Sequence, residues 1–96
     1  KDAIRHYRLA LDQATNDPKI RYNLAMALVK EEDFAQAKDE LNRLIRIEPS
    51  YWDAYYQLGL LLIRDGNEED AREILSLLLE KNPDYERKAE VQDLLG

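Results

Sequence analysis

The stretch AREILSLLLEKNPDY, Ala71 to Tyr85, is nearly written once before, thirty-four residues earlier, as AKDELNRLIRIEPSY, Ala37 to Tyr51. The same register extends outward. Ala3, Ala37 and Ala71 fall in step, as do Tyr7, Leu41 and Leu75, and Ala10, Leu44 and Leu78. Leu24 answers Leu58, Ala25 answers Gly59, Leu28 answers Leu62, Pro49 answers Pro83 and Tyr51 answers Tyr85. Large side chains recur as large and small ones mostly as small. A period of this length is the mark of stacked supersecondary units, each too thin to bury both of its faces alone.

Within each copy the apolar spacing is helical. Ile20, Leu24, Ala27 and Leu28 share one helix face, as do Ala54, Leu58, Leu61 and Leu62. A second stripe follows in each copy: Phe34, Ala37, Leu41, Leu44 and Ile45, then Ala71, Ile74, Leu75, Leu78 and Leu79. Each unit is therefore two helices. Ala25, Gly59 and Ala71 stand where the paired backbones approach closely. Asn16, Ser50 and Asp84, again in register, are expected to cap the first helices. Pro18 suits a first helical turn. Ser50 with Asp53 and Asp33 with Gln36 have capping-box spacing, and Asn67 is expected to cap a second helix. Asp65-Gly66-Asn67 reads as an interhelix turn, and Pro49 and Pro83 end the second helices.

Composition agrees with a helical domain. The 96 residues are 45% hydrophobic with three glycines and three prolines. No apolar run is long enough to span a bilayer; Arg64 and Asp65 interrupt Leu58–Ile63. The net charge of −6 argues against reading nucleic acid, which requires a basic face. With no cysteine, neither disulfides nor thiolate zinc sites arise. His6 is isolated and reads as a surface or interhelix residue. Glu31-Glu32-Asp33 and Glu68-Glu69-Asp70 fall at helix N-termini, where negative charge complements the macrodipole. Ser50 and Ser76 have no base at a motif spacing. No catalytic residue, metal ligand or cofactor is expected, and an enzyme is not indicated. The chain begins at Lys1 and reads as a piece of a longer protein; a soluble, cytoplasmic setting is favoured.

The motif Tyr55-x-x-Leu58-Gly59-x-x-Leu62, followed by Gly66, Ala71, Leu75, Leu78 and Pro83, resembles the tetratricopeptide repeat. The preceding copy matches through Leu24, Ala25, Leu28, Ala37, Leu41 and Pro49, but carries Arg21 at the usual aromatic position and Glu32 at the usual turn glycine. The resemblance implies an all-α, right-handed solenoid of antiparallel helix pairs with about six helices. In that register residues 1–17 are the second helix of a partial repeat, 18–51 and 52–85 are whole repeats, and 86–96 are a partial or capping helix, with Gln92 and Asp93 where a Leu and a small residue are usual. Val91, Leu94 and Leu95 are spaced to cover part of the apolar face of the preceding helix.

The resemblance also implies a function: a scaffold whose first helices line a concave groove for a peptide or helix of a protein partner. Carried over by register, the groove positions are Lys19, Tyr22, Asn23, Met26, Val29 and Lys30, then Asp53, Tyr56, Gln57, Leu60, Ile63 and Arg64. Tyrosines off the core stripe, amides and a methionine suit such a surface. One sub-family grips a partner's terminal carboxylate with Lys, Asn and Arg side chains. Asn23 matches its middle Asn, but Asp53 and Gln57 replace the cations of the following repeat, so that clamp is not expected. Trp52 reads as an anchor packing between repeats. The alternative function is self-association through the end helices. Neither nucleic-acid nor membrane binding is expected.

Overall fold

The computed structural model describes residues 2–13 and 17–96. Among them the only regular elements are six helices: α1 (Asp2–Gln13), α2 (Pro18–Lys30), α3 (Phe34–Ile47), α4 (Trp52–Arg64), α5 (Glu68–Lys81) and α6 (Lys88–Leu95). They form two compact units that divide between Tyr51 and Trp52.

In the first unit α1 packs on α2, and α2 pairs with α3 through a three-residue connection. The α2–α3 core is Leu24, Ala25 and Leu28 against Ala37, Leu41 and Leu44, all essentially without solvent access. Those residues lie one helical turn apart on each helix, so a single apolar stripe on each rod suffices to close the hairpin. The second unit repeats the pattern with Ala54, Tyr55, Leu58 and Leu61 of α4 against Ala71, Leu75 and Leu78 of α5. Gly59 has a specific reason to be small. A methyl group there would lie 2.5 Å from Leu75 Cδ2, and Leu75 is itself fully enclosed. α6 packs on α5 through Val91, which is completely buried. Leu95 is half-buried and Leu94 is 37% exposed, so of the three residues expected to cover the α5 face only Val91 does so fully.

The helix ends correct several cap assignments. α2 is capped by Asp17, whose Oδ1 accepts from the backbone N–H groups of Lys19 (3.0 Å) and Ile20 (3.4 Å), with Pro18 in the first turn. Asn16 lies outside the described residues. Asp33 caps α3, accepting from the Gln36 backbone N–H at 3.3 Å; Gln36 answers with its side-chain amide to the Asp33 carboxylate at 2.7 Å rather than to the backbone. Asn67 occupies the cap position of α5 but makes no side-chain cap bond. Ser50 and Asp84 are not caps. Each is the third residue of a proline turn, Glu48-Pro49-Ser50-Tyr51 and Asn82-Pro83-Asp84-Tyr85, closed by a bond from the tyrosine N–H to the first carbonyl at 3.0 and 3.1 Å. Proline presets the second position of such a turn and pushes the helix start one or more residues on. The Ser50 hydroxyl therefore donates to Glu48, and Asp53 makes no capping-box bond with it.

Both hairpins turn the same way. In α2 the Asp33 N–H reaches back to Leu28 O and Glu32 adopts φ 61°; in α4 the Asn67 N–H reaches Leu62 O and Gly66 adopts φ 80°. This six-to-one bond with a left-handed residue satisfies the last carbonyls of the helix. Glycine does so without steric cost; Glu32 does so with a Cβ in place.

Candidate peptide-binding surface

On α2 the residues that close the hairpin leave a second face. Tyr22, Asn23 and Met26 are half-buried there, with Lys19 and Lys30 exposed at its two ends. Their spacing of three, four and seven residues keeps them on one side of the rod. Tyr22 does not stand alone: its ring lies 5.2 Å from that of Tyr51, tilted by 36°. Beneath this face, Arg21 donates to Glu40 at 2.6 Å, and the two side chains are only 12% and 7% exposed. Arg43 reaches the other carboxylate oxygen of Glu40 at 3.9 Å. One repeat later the same two positions are Tyr55 and Ile74. The first hairpin thus holds an ion pair where the second carries an aromatic and an aliphatic residue.

On α4, Gln57, Leu60 and Ile63 are half-buried and Arg64 is exposed. Tyr56 is different from its counterpart Tyr22, being only 8% exposed. Its ring lies 6.3 Å from that of Tyr85, and its hydroxyl donates to Glu90 at 3.1 Å. Arg87 lies over the Tyr56 ring, 5.3 Å from its centroid, and reaches Glu90 at 3.5 Å. The Tyr85 hydroxyl donates to Asp53. Burial, with help from the Glu90 carboxylate, pushes the Tyr56 hydroxyl above the usual tyrosine range. Glu90 in turn holds the Arg87 guanidinium still more firmly protonated. Burial likewise raises Tyr55, which packs 5.6 Å from the half-buried Trp52.

The two tyrosine pairs are the same pair at successive repeats, Tyr22 with Tyr51 and Tyr56 with Tyr85. Their recurrence is written in the sequence, but not that they meet; a proline turn must first bring the later ring back across the helix. Arg87, Glu90 and Glu40 were not singled out by sequence reading. The signal available for Glu40 was paired departure: Arg21 and Glu40 both break the pattern set by Tyr55 and Ile74.

Elsewhere the described residues offer little chemistry. No group of three His, Cys, Asp or Glu side chains among them could hold a metal ion, and His6 is exposed. Among the described residues no helix is long and apolar enough to cross a membrane.

The family model described as tetratricopeptide repeat matches residues 1–58 and again 29–96, so its two matches overlap and together take in the whole chain. The chain belongs to the tetratricopeptide repeat family. Tetratricopeptide repeats are in general a non-enzymatic, protein-interaction fold. Solved structures agree on the architecture. The chain is similar to MamA 41-end from Desulfovibrio magneticus RS-1, at 21% identity and TM-score 0.84, covering 98% of this chain and 53% of that one. It is similar to the TPR2B domain of yeast Sti1 in its complex with pHsp70, at 22% identity and TM-score 0.85, covering 96% and 76%. It is also similar to the first TPR of Spaghetti (RPAP3) bound to the HSP90 peptide SRMEEVD, at 24% identity and TM-score 0.82, covering 95% and 73%. The chain spans about half the length of the MamA structures it matches, 51% and 53%.

Proposed function

We propose that this tetratricopeptide domain is a scaffold that holds a peptide or helical segment of a protein partner along its first helices. In each unit those helices are α2 and α4, and the residues that make contact are Lys19, Tyr22, Asn23, Met26 and Lys30 on the former and Tyr56, Gln57, Leu60 and Arg64 on the latter. The observation that carries the reading is the second face of α2. Leu24, Ala25 and Leu28 already close the hairpin. Tyr22, Asn23 and Met26 contribute nothing to that stripe, yet they are a large amphipathic ring, an amide and an adaptable thioether held half-open to solvent. The structures of Sti1 and RPAP3 repeats in complex with chaperone peptides lend support by fold. The guest is expected to differ from theirs, because Asp53 and Gln57 stand where a carboxylate-gripping repeat presents cations.

The test is affinity capture with the wild-type domain and with the Tyr22→Ala/Tyr56→Ala double variant, followed by titration of the purified domain with the captured protein's binding segment. A loss of about tenfold or more in affinity for Tyr22→Ala alone, with the domain still folded by circular dichroism, is expected. Equal affinity of wild type and both variants would refute the assignment.

A further inference from the structure

The second unit contains a cation seat, and the seat is filled by the chain itself. Two tyrosine rings, Tyr56 and Tyr85, stand 6.3 Å apart. Each hydroxyl donates to a carboxylate, Tyr56 to Glu90 and Tyr85 to Asp53. Each carboxylate is thereby tied to the edge of the aromatic pair by one hydrogen bond. Into this frame the turn before α6 delivers Arg87, with its guanidinium carbon 5.3 Å from the Tyr56 centroid and one nitrogen 3.5 Å from Glu90. A planar cation lying over an aromatic face with a carboxylate beside it is the arrangement in which a guanidinium is best recognised.

The occupant is weakly held. The Arg87 and Glu90 side chains are 51% and 56% exposed, and the guanidinium–carboxylate contact is long. Arg87 stands at the cap position of an eight-residue helix and offers it no side-chain cap bond. The frame is firmer, since Tyr56 and Tyr85 are buried. The counterpart position on α2 shows what is particular here. Where Asp53 stands in the second unit, the first has Lys19, a cation in place of a carboxylate.

We infer that the Tyr56–Tyr85 pair with Asp53 and Glu90 is a subsite for an arginine side chain of the partner segment, and that Arg87 is an intramolecular placeholder which that side chain displaces. The inference rests on the reading of Tyr56 as a contact residue and adds the chemistry of its guest: a guanidinium, carried on the partner segment. The net charge of −6 draws such a segment in rather than repelling it. An acidic peptide meets two carboxylates at this place.

The experiment needs no partner. N-acetyl-arginine amide is titrated into the whole 96-residue domain while the ring and backbone NMR signals of Tyr56 and Tyr85 are followed, with the citrulline analogue as the neutral isostere. Wild type and Arg87→Ala are compared. The expected result is that Arg87→Ala binds the arginine probe about threefold or more tightly than wild type, as removal of a competing exposed cation–π contact implies. The citrulline probe leaves the signals of both proteins unmoved. Tyr56→Leu in the Arg87→Ala background abolishes the response. Because that variant also removes a buried ring, the site is mapped directly as well: in Arg87→Ala the largest shifts fall on Tyr56, Tyr85 and the Asp53 backbone. No response in Arg87→Ala, equal response to citrulline, or shifts centred elsewhere would each overturn the inference. None of these outcomes bears on the Tyr22→Ala affinity test, so the two readings fail separately.

Discussion

Exchanging Arg21 for tyrosine and Glu40 for isoleucine together moves the second hairpin's solution into the first. Positions 21 and 40 correspond to Tyr55 and Ile74. In the first unit they hold a 2.6 Å ion pair whose members are 12% and 7% exposed. Two charges so enclosed recover much of their desolvation cost through each other, so removing one partner is expected to cost about 3–5 kcal/mol, while replacing both by apolar residues is neutral or stabilising by about 1–4 kcal/mol. The structure ranks the single variants. Arg21→Tyr leaves the Glu40 carboxylate with Arg43 at 3.9 Å, and Arg43 is 60% exposed and free to swing closer, which places this variant at about 3 kcal/mol. Glu40→Ile removes the carboxylate partner of a guanidinium whose long stem can carry it toward water, with a cost of about 2–3 kcal/mol. At roughly 4–8 °C per kcal/mol for a domain of this size, Arg21→Tyr lowers the melting temperature by about 12–24 °C. The double variant returns to within about 1 kcal/mol of wild type or exceeds it, so the coupling energy from the cycle is about 4 kcal/mol or more. Thermal and urea unfolding followed by circular dichroism on all four proteins measures it. Additive single effects, with the double variant near the sum of its parents, would show that Arg21 and Glu40 do not depend on each other, and the reasoning would fail.

Gly59→Leu forces a side chain into the space of Leu75, which a methyl group alone would approach to 2.5 Å, and is expected to cost about 1–3 kcal/mol by overpacking; an unchanged urea midpoint would contradict the close approach of α4 and α5. Glu32→Gly relieves a left-handed residue at φ 61° and is expected to stabilise the first hairpin by about 0.5–1 kcal/mol, read as a rise in melting temperature, whereas a fall would mean that the glutamate side chain contributes more than its backbone costs.

The helices and their pairing were legible because both are periodic. The stripe through Leu24, Ala25 and Leu28 can face only a stripe like that of Ala37, Leu41 and Leu44, and the register predicted which rods would meet. Family-specific substitutions were legible as departures, as at Arg21 and Glu32. The caps were less so. Asn16, Ser50 and Asp84 have the right chemistry, but a proline turn consumes Ser50 and Asp84 before α4 and α6 begin, and which polar residue ends up at the helix start depends on how that turn closes. Leu94 had the spacing of a core residue and yet is 37% exposed, one turn beyond the buried Val91 near the end of α6. The nine proposed contact residues came from register alone, and nothing local distinguishes the half-open Tyr22 from the enclosed Tyr56.

By itself, then, the sequence determined the element type, the hairpin partners and the close-packed positions, since these depend on periodicities of a few residues and on side-chain volume, both of which are local. The tertiary structure alone decided that Glu40 would be buried with Arg21, that tyrosines twenty-nine residues apart would touch, and that Arg87 would settle over Tyr56. Charge pairs and ring contacts act over a few ångströms in space, and no spacing along a chain encodes that distance until the turns have closed.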